Sequence, residues 1–196
     1  MLKKITFATI FLLMFWMLNA QMMSARQRHL RINLGGGVSW IIGEDVKNKD
    51  DNHVYEPQFN FGAGLSWVGD SPDKISFEPG IRYVMRGFDE IYDKDSENPR
   101  YEGTSISYID VYGKIKYGIG QFYMSIGSGV AIAPFTEHYN TFNVPLMMGF
   151  DYYFRPNIIF GMDIDILLLD MPVKDAYPNF NKVKGITGLF TVSFLI

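Results

Sequence analysis

The chain has 196 residues, a formal net charge of −3, 16% aromatic residues, 19 glycines and no cysteine. The length suits one domain. The missing cysteine excludes disulfides, thiolate metal sites and lipid attachment through an N-terminal cysteine, and the mild acidity speaks against nucleic-acid binding, which favours basic patches.

Lys3 and Lys4 precede an apolar run over residues 5–18, and Leu18-Asn19-Ala20 offers a small residue before a cut. This predicts a cleaved secretory signal peptide over residues 1–20, with Gln21 as the first mature residue. Loss of the two lysines takes the charge from −3 to −5. Residues 21–29 (QMMSARQRH) form a short polar lead, and residues 30–196 the single domain. No internal stretch of that domain reaches the roughly 18 consecutive apolar residues of a membrane helix.

From Leu30 onward the chain alternates. Leu30, Ile32, Leu34, Val38 and Trp40 oppose Arg31, Asn33, Gly35, Gly37 and Ser39, and a polar, loop-like segment follows over residues 43–57. Residues 58–68 set Phe59, Phe61, Ala63, Leu65 and Trp67 against Asn60, Gly62, Gly64 and Ser66, and end in a turn at residues 69–73. Residues 74–87 (KISFEPGIRYVMRG) place Ile75, Phe77, Pro79, Ile81, Tyr83 and Met85 on one side and Ser76, Glu78, Gly80, Arg82, Val84 and Arg86 on the other. A second polar segment spans residues 89–103. Residues 105–117 oppose Ile109, Val111, Ile115 and Tyr117 to Tyr108, Asp110, Tyr112, Lys114 and Lys116.

After a tight Gly118-Ile119-Gly120, residues 121–133 set Phe122, Met124, Ile126 and Ile132 against Tyr123, Ser125, Gly127 and Ala131. A loop at 134–143 leads to residues 144–154, with Leu146, Met148, Phe150, Tyr152 and Phe154 opposite Met147, Gly149, Asp151 and Tyr153. Arg155-Pro156-Asn157 is tight. Residues 158–169 oppose Phe160, Met162, Ile164 and Leu168 to Gly161, Asp163, Asp165 and Leu167. After a loop at 170–181 the last run sets Ile186, Phe190, Val192, Phe194 and Ile196 against Thr187, Leu189, Thr191 and Ser193.

Successive side chains of a strand point to opposite faces, so these are eight amphipathic strands of about ten residues. Connections alternate long and short. Transmembrane strands need roughly 9–11 residues, and outer-membrane barrels combine even strand numbers with short turns on one side and longer loops on the other. The expected fold is therefore all-β: an eight-stranded antiparallel up-and-down transmembrane β-barrel of a bacterial outer membrane.

Periodicity leaves open which face is inside, because a soluble lipocalin-type carrier also has eight strands around an apolar cavity. Size and charge decide the expectation. Eight strands enclose a lumen just wide enough to be filled by side chains, which suits the face rich in Gly, Ser, Ala and Thr. That face carries Arg31, Arg82, Arg86, Lys114 and Lys116 together with Glu78, Asp110, Asp151, Asp163 and Asp165. Five positive and five negative groups suggest mutual pairing in a narrow interior. The bulky face lacks charge, as lipid contact demands. Trp40, Trp67, Tyr83, Tyr117, Tyr152 and Phe154 lie toward strand ends on it, where aromatic girdles sit.

FEPGIRYVMRGF (residues 77–88) and YIDVYGKIKYGIGQFYMSIGSGVAI (residues 108–132) resemble the PorT-like outer-membrane β-barrel family of Bacteroidetes-type bacteria. Pro79, Tyr83, Arg86 and Gly87 match one family strand, Tyr108, Asp110 and Lys116 the next, and Tyr123 and Gly127 the third; Tyr112 stands where the family usually has proline. The resemblance covers about residues 30–196. It implies an eight-stranded outer-membrane barrel, and the family's namesake is associated with type IX secretion. Many outer-membrane barrels end in an aromatic residue; here Phe194 is third from last.

Nothing in the chain spells a catalytic, cofactor-binding or metal-binding constellation. His29, His53 and His138 fall in segments expected to be irregular, and no H-x-x-x-H, H-E-x-x-H or His-x-Ser spacing occurs. His138 beside Glu137 has poor geometry for a nucleophile–base pair. The acidic stretches Asp50-Asp51-Asn52 and residues 89–97 read as solvated loops rather than cation sites, and Asp163-Ile164-Asp165 as part of the lumen network. The expected partners are outer-membrane lipid and proteins met through the outer loops or secretion machinery, in a structural, adhesion or secretion-accessory role. The rival expectations are a soluble ligand carrier and a lipid-modifying barrel enzyme.

Overall fold

The alternating runs hydrogen-bond side by side into one closed sheet. A computed structural model describes residues 28–47, 53–69, 75–136, 139–171 and 182–196. The expected signal peptide, most of the polar lead, Asp50 to Asn52, the turn at 70–73, Glu137, His138 and most of the loop at 170–181 lie outside the described residues. The strands are β1 (Arg28–Gly43), β2 (His53–Gly69), β3 (Ile75–Tyr92), β4 (Arg100–Ile119), β5 (Phe122–Ile132), β6 (Phe142–Asn143), β7 (Pro145–Arg155), β8 (Ile158–Leu167) and β9 (Val183–Leu195). A single helical turn, α1 (Glu44–Lys47), follows β1.

Every pairing is antiparallel. The order runs β4-β3-β2-β1-β9-β8-β7-β5, and β5 pairs back to β4, which closes the ring. β6 and β7 both pair with β5 and form one stave interrupted at Val144. There the Asn143 side-chain oxygen accepts the Val144 and Leu169 N–H groups at 2.8 and 3.1 Å. The first and last staves are clasped where Leu30 and Ile196 exchange backbone hydrogen bonds of 3.1 and 2.9 Å. Closure leaves the membrane-crossing part of the ring without an edge, the condition for a sheet to cross lipid. Gly120 makes the tight β4–β5 turn possible with φ of 63°, a left-handed conformation that favours glycine.

The alternation resolves as apolar outside. Phe59 is 87% exposed and Phe190 71%, and Leu34, Phe61, Ile115, Met124, Ile126 and Phe160 also face outward. On the outward face the Tyr83 hydroxyl meets Ser107 Oγ at 2.7 Å. On β4 the outward residues on one side of that contact are Ile109, Val111, Ile115 and Tyr117, and on the other Ser105, Gly103 and Tyr101. The Tyr83–Ser107 pair thus marks where the apolar belt ends on this wall, an amphipathic ring at the water boundary.

Strand length departs from the sequence reading. β5, β7 and β8 have 11, 11 and 10 residues, but β2, β3 and β4 have 17, 18 and 20. The expected loops at 43–57 and 89–103 are in part strand: residues 53–57 pair with 88–92, and these with 100–104. Tyr83 therefore lies mid-strand, although it still stands at the edge of the belt. The physical reason is that this extension no longer faces lipid: Phe88 and Ile91 are buried but stand among polar neighbours in sequence, so the period of two no longer carries an apolar signature while the backbone ladder continues.

Candidate functional site: a paired lumen under an apolar plug

Inward residues of β1, β3, β4, β7 and β8 converge in the barrel as two groups of ion pairs. In the first, Arg31 donates to Asp151 through both terminal nitrogens at 2.7 and 2.8 Å and to Glu78 at 3.2 Å. Lys116 donates to Glu78 at 2.7 Å and also to Asp151. In the second, Arg86 grips Asp110 with two bonds of 3.0 and 2.7 Å. Arg82 donates to Asp110 at 3.0 Å and to Asp165, and Lys114 to Asp163 at 2.6 Å. Two cations face two carboxylates in the first group and three face three in the second, so each is separately neutral. All ten sequence-selected charges are thereby brought into the lumen.

Side chains that the sequence reading did not single out complete the network. Ser66 donates to Glu78 at 2.7 Å, Arg31 to Ser193 at 3.0 Å, and Ser193 in turn to Asn33 at 2.8 Å. The Arg82 and Arg86 guanidinium carbons lie 5.6 and 5.0 Å from the ring centres of Tyr112 and Tyr108, which supplies cation–π contact inside the barrel. Apart from the family motif, their sequence signal was position on the inward face. The Tyr112 ring fits because a glycine stands opposite it: a Cβ on Gly80 would lie 2.5 Å from that ring. A cavity of about 20 Å³ between the two groups, lined by Arg31, Glu78, Arg82, Tyr112, Lys114 and Asp163, has room for roughly one water.

Toward the long-connection end the lumen changes character. Ile41, Val84, Phe88, Ile106, Ala131, Leu167, Val183 and Leu189 pack into a buried apolar cluster. Met171 closes over it, held by its N–H to Val183 O at 2.7 Å and by its carbonyl, which accepts the Asn140 N–H at 2.7 Å. The expectation of a lumen filled by small and charged groups thus needs correcting. It describes the half near the tight turns, whereas the outer half is an ordinary hydrophobic core. Val84, Leu167 and Leu189 alternated correctly, but an apolar residue on a mostly polar face does not show from sequence alone that it meets others across the ring.

The backbone of His53 begins β2, His29 is half-buried at the start of β1, and His138 lies outside the described residues. Among the described residues no group of three or more His, Asp or Glu is placed to hold a metal ion. Every lumen carboxylate contacts at least one cation. A closed sheet with a charge-free outer belt and a polar, filled interior fits one solvent.

It is a transmembrane β-barrel of the outer-membrane type.

No family model matches the chain, and no curated protein does. Among solved structures the barrel is similar to Ail, the attachment invasion locus protein of Yersinia pestis, in complex with the heparin analogue sucrose octasulfate. The TM-score is 0.47 at 12% identity, over 87% of this chain and 99% of that one. It is also similar to Neisserial surface protein A (TM-score 0.44, 8% identity, 84% and 96% of the two chains). OprG of Pseudomonas aeruginosa gives a TM-score of 0.36 at 11% identity, over 87% and 98%. The assignment of this barrel rests on its own closure, belt and lumen.

Proposed function

We propose that the protein is a closed, non-conducting barrel of a bacterial outer membrane that acts as a surface anchor. It serves a structural, adhesion or secretion-accessory role through the parts that rise above the lipid, and has no catalytic centre or resident cofactor. The observation that carries this reading is the double block of the lumen. Neutral ion-pair groups fill one half and the apolar cluster around Phe88 and Leu167 the other. A barrel that spends its interior on packing has its outer strands left with which to act. The rival carrier reading wants an apolar cavity inside, but here the bulky apolar set faces out. The rival enzyme reading wants a free nucleophile and base, and the lumen carboxylates are engaged by cations.

The secretion-accessory variant draws on the PorT-like resemblance. Two motif positions, Arg86 and the acidic slot Asp110, are bonded to each other here. The decisive measurement is conductance of the refolded, heat-modifiable barrel in planar bilayers. No current steps are expected, and steady ion conductance by the folded form would overturn the closed-anchor reading. Fractionation tests the location: recovery in the soluble periplasmic fraction would count against it.

A further inference from the structure

The sheet formed by β2, β3 and β4 above the belt has a free side. β4 pairs with β3 along its whole length, to Arg100 opposite Tyr92, but with β5 only from Ile109 opposite Ile132. β5 ends there. Pro134 follows, with no N–H to extend the ladder toward β4, and the Ala133 N–H bonds Thr141 O at 2.8 Å on the β6 side. Residues 100–105 of β4 therefore present backbone donors and acceptors to which no described strand is paired, whereas Ile106 and Tyr108 are buried. Their backs are held by β3, and β3 by residues 53–57 of β2. An ordered, exposed edge of this kind is a template for another strand, and proteins normally guard it with proline, lysine or a bulge. Residues 100–105 (RYEGTS) contain neither proline nor lysine.

The neighbourhood has a sign. Between residues 89 and 102 the sheet and its turn carry Asp89, Glu90, Asp93, Asp95, Glu97 and Glu102 against Lys94 and Arg100. Arg100 is engaged by Glu102. A second copy is disfavoured as the occupant. Two such edges repel, and copies in one membrane related by a two-fold axis along its normal present their β4 strands parallel rather than antiparallel.

We propose that the outer edge of β4 at residues 100–105 is a strand-addition site that takes up an extended, cationic segment of a partner polypeptide at the cell surface. Main-chain bonds to β4 supply affinity, and the acidic turn selects basic side chains. This inference rests on the surface-anchor reading above.

The test uses the full barrel in phosphatidylcholine nanodiscs, with backbone amide exchange read by NMR. The probe is an alternating Lys-Val octapeptide and the control an alternating Glu-Val octapeptide. With the Lys-Val peptide, alternate amides within residues 101–105 should exchange at least ten-fold more slowly, and with the Glu-Val peptide they should not change. Thr104→Pro and Ser105→Pro are compared, because neighbouring N–H groups point to opposite sides of a strand. The one that removes an outward donor should abolish protection and leave the β3 ladder intact. Asp95→Lys with Glu97→Lys should weaken the Lys-Val peptide ten-fold. Protection confined to the β2 edge at residues 53–57, equal protection by both peptides, or none in a barrel that still shows heat-modifiable mobility would overturn the proposal. If instead the chain conducts ions or is recovered soluble, it is the anchor reading that fails.

Discussion

The two walls of the barrel differ in length and in inner charge. The wall from β1 to β4 is built of strands of 16 to 20 residues, and that from β5 to β8 of strands of 10 or 11, with the two-residue β6 continuing β7. Ten or so residues are what lipid asks of a tilted strand, so the short wall is sized by the membrane. The long wall needs a second reason for its extra length. Inside, the long wall carries all five cations, Arg31, Arg82, Arg86, Lys114 and Lys116, with only Glu78 and Asp110 beside them. That surplus of three is met by Asp151, Asp163 and Asp165, all on β7 and β8. The network therefore zips one wall to the other across the lumen. Its bonds join residues far apart in sequence, such as Arg31 with Asp151, 120 positions away, and neither wall would fill its own interior without the other.

Breaking the zip should have the largest effect. Asp110→Leu removes the carboxylate shared by Arg82 and Arg86 and leaves buried positive charge, a loss of about 3–5 kcal/mol. It should appear as a lower urea midpoint for heat-modifiable gel mobility. Glu78→Leu should do the same to Arg31 and Lys116. Adding Arg86→Met to Asp110→Leu should restore part of the loss, and no recovery would argue that packing rather than charge was broken.

The belt comes next. Ile126→Lys on the short wall puts a charge against lipid and should cost about 2–4 kcal/mol. Tyr101→Lys on the long wall lies above the belt and should leave the same midpoint unchanged. Equal effects would move the boundary marked by Tyr83 and Ser107.

Smaller changes test the fit between the walls. Gly80→Ala sets a methyl group where the Tyr112 ring lies and should cost about 1–3 kcal/mol as overpacking. Tyr83→Phe removes one hydroxyl contact at the water boundary, worth about 1 kcal/mol. Both are read as shifts of the unfolding midpoint in urea, and a Tyr83→Phe effect larger than that of Gly80→Ala would reverse the ranking.

The membrane-crossing part of each stave was legible because one face meets lipid and the other the lumen. Two such unlike surroundings impress a period of two on the residues. Phe59, Phe61, Leu65 and Trp67 against Asn60 and Ser66 is a clear instance. The extension above the belt was not legible. At residues 53–57, 88–92 and 100–104 buried apolar residues such as Phe88 and Ile91 stand among polar ones without a period of two, and the chain there reads as loop even though its backbone is laddered. The site was half legible. Inward charges could be selected one by one, but Tyr108 and Tyr112 as ring partners of Arg86 and Arg82, and Ser66 and Ser193 as supports of Glu78 and Arg31, depend on which strands face each other across the ring.

By itself the sequence determined the number of staves, the face that each turns to lipid and the balance of charge inside. These follow from alternation and composition, which are local properties of a strand. Only the tertiary structure decided that the charges divide into two separately neutral groups, that an apolar core plugs the outer end, and that one wall outgrows the membrane. Each of these is set by the stagger at which eight strands close, and that stagger brings together residues whose separation along the chain carries no trace of their contact.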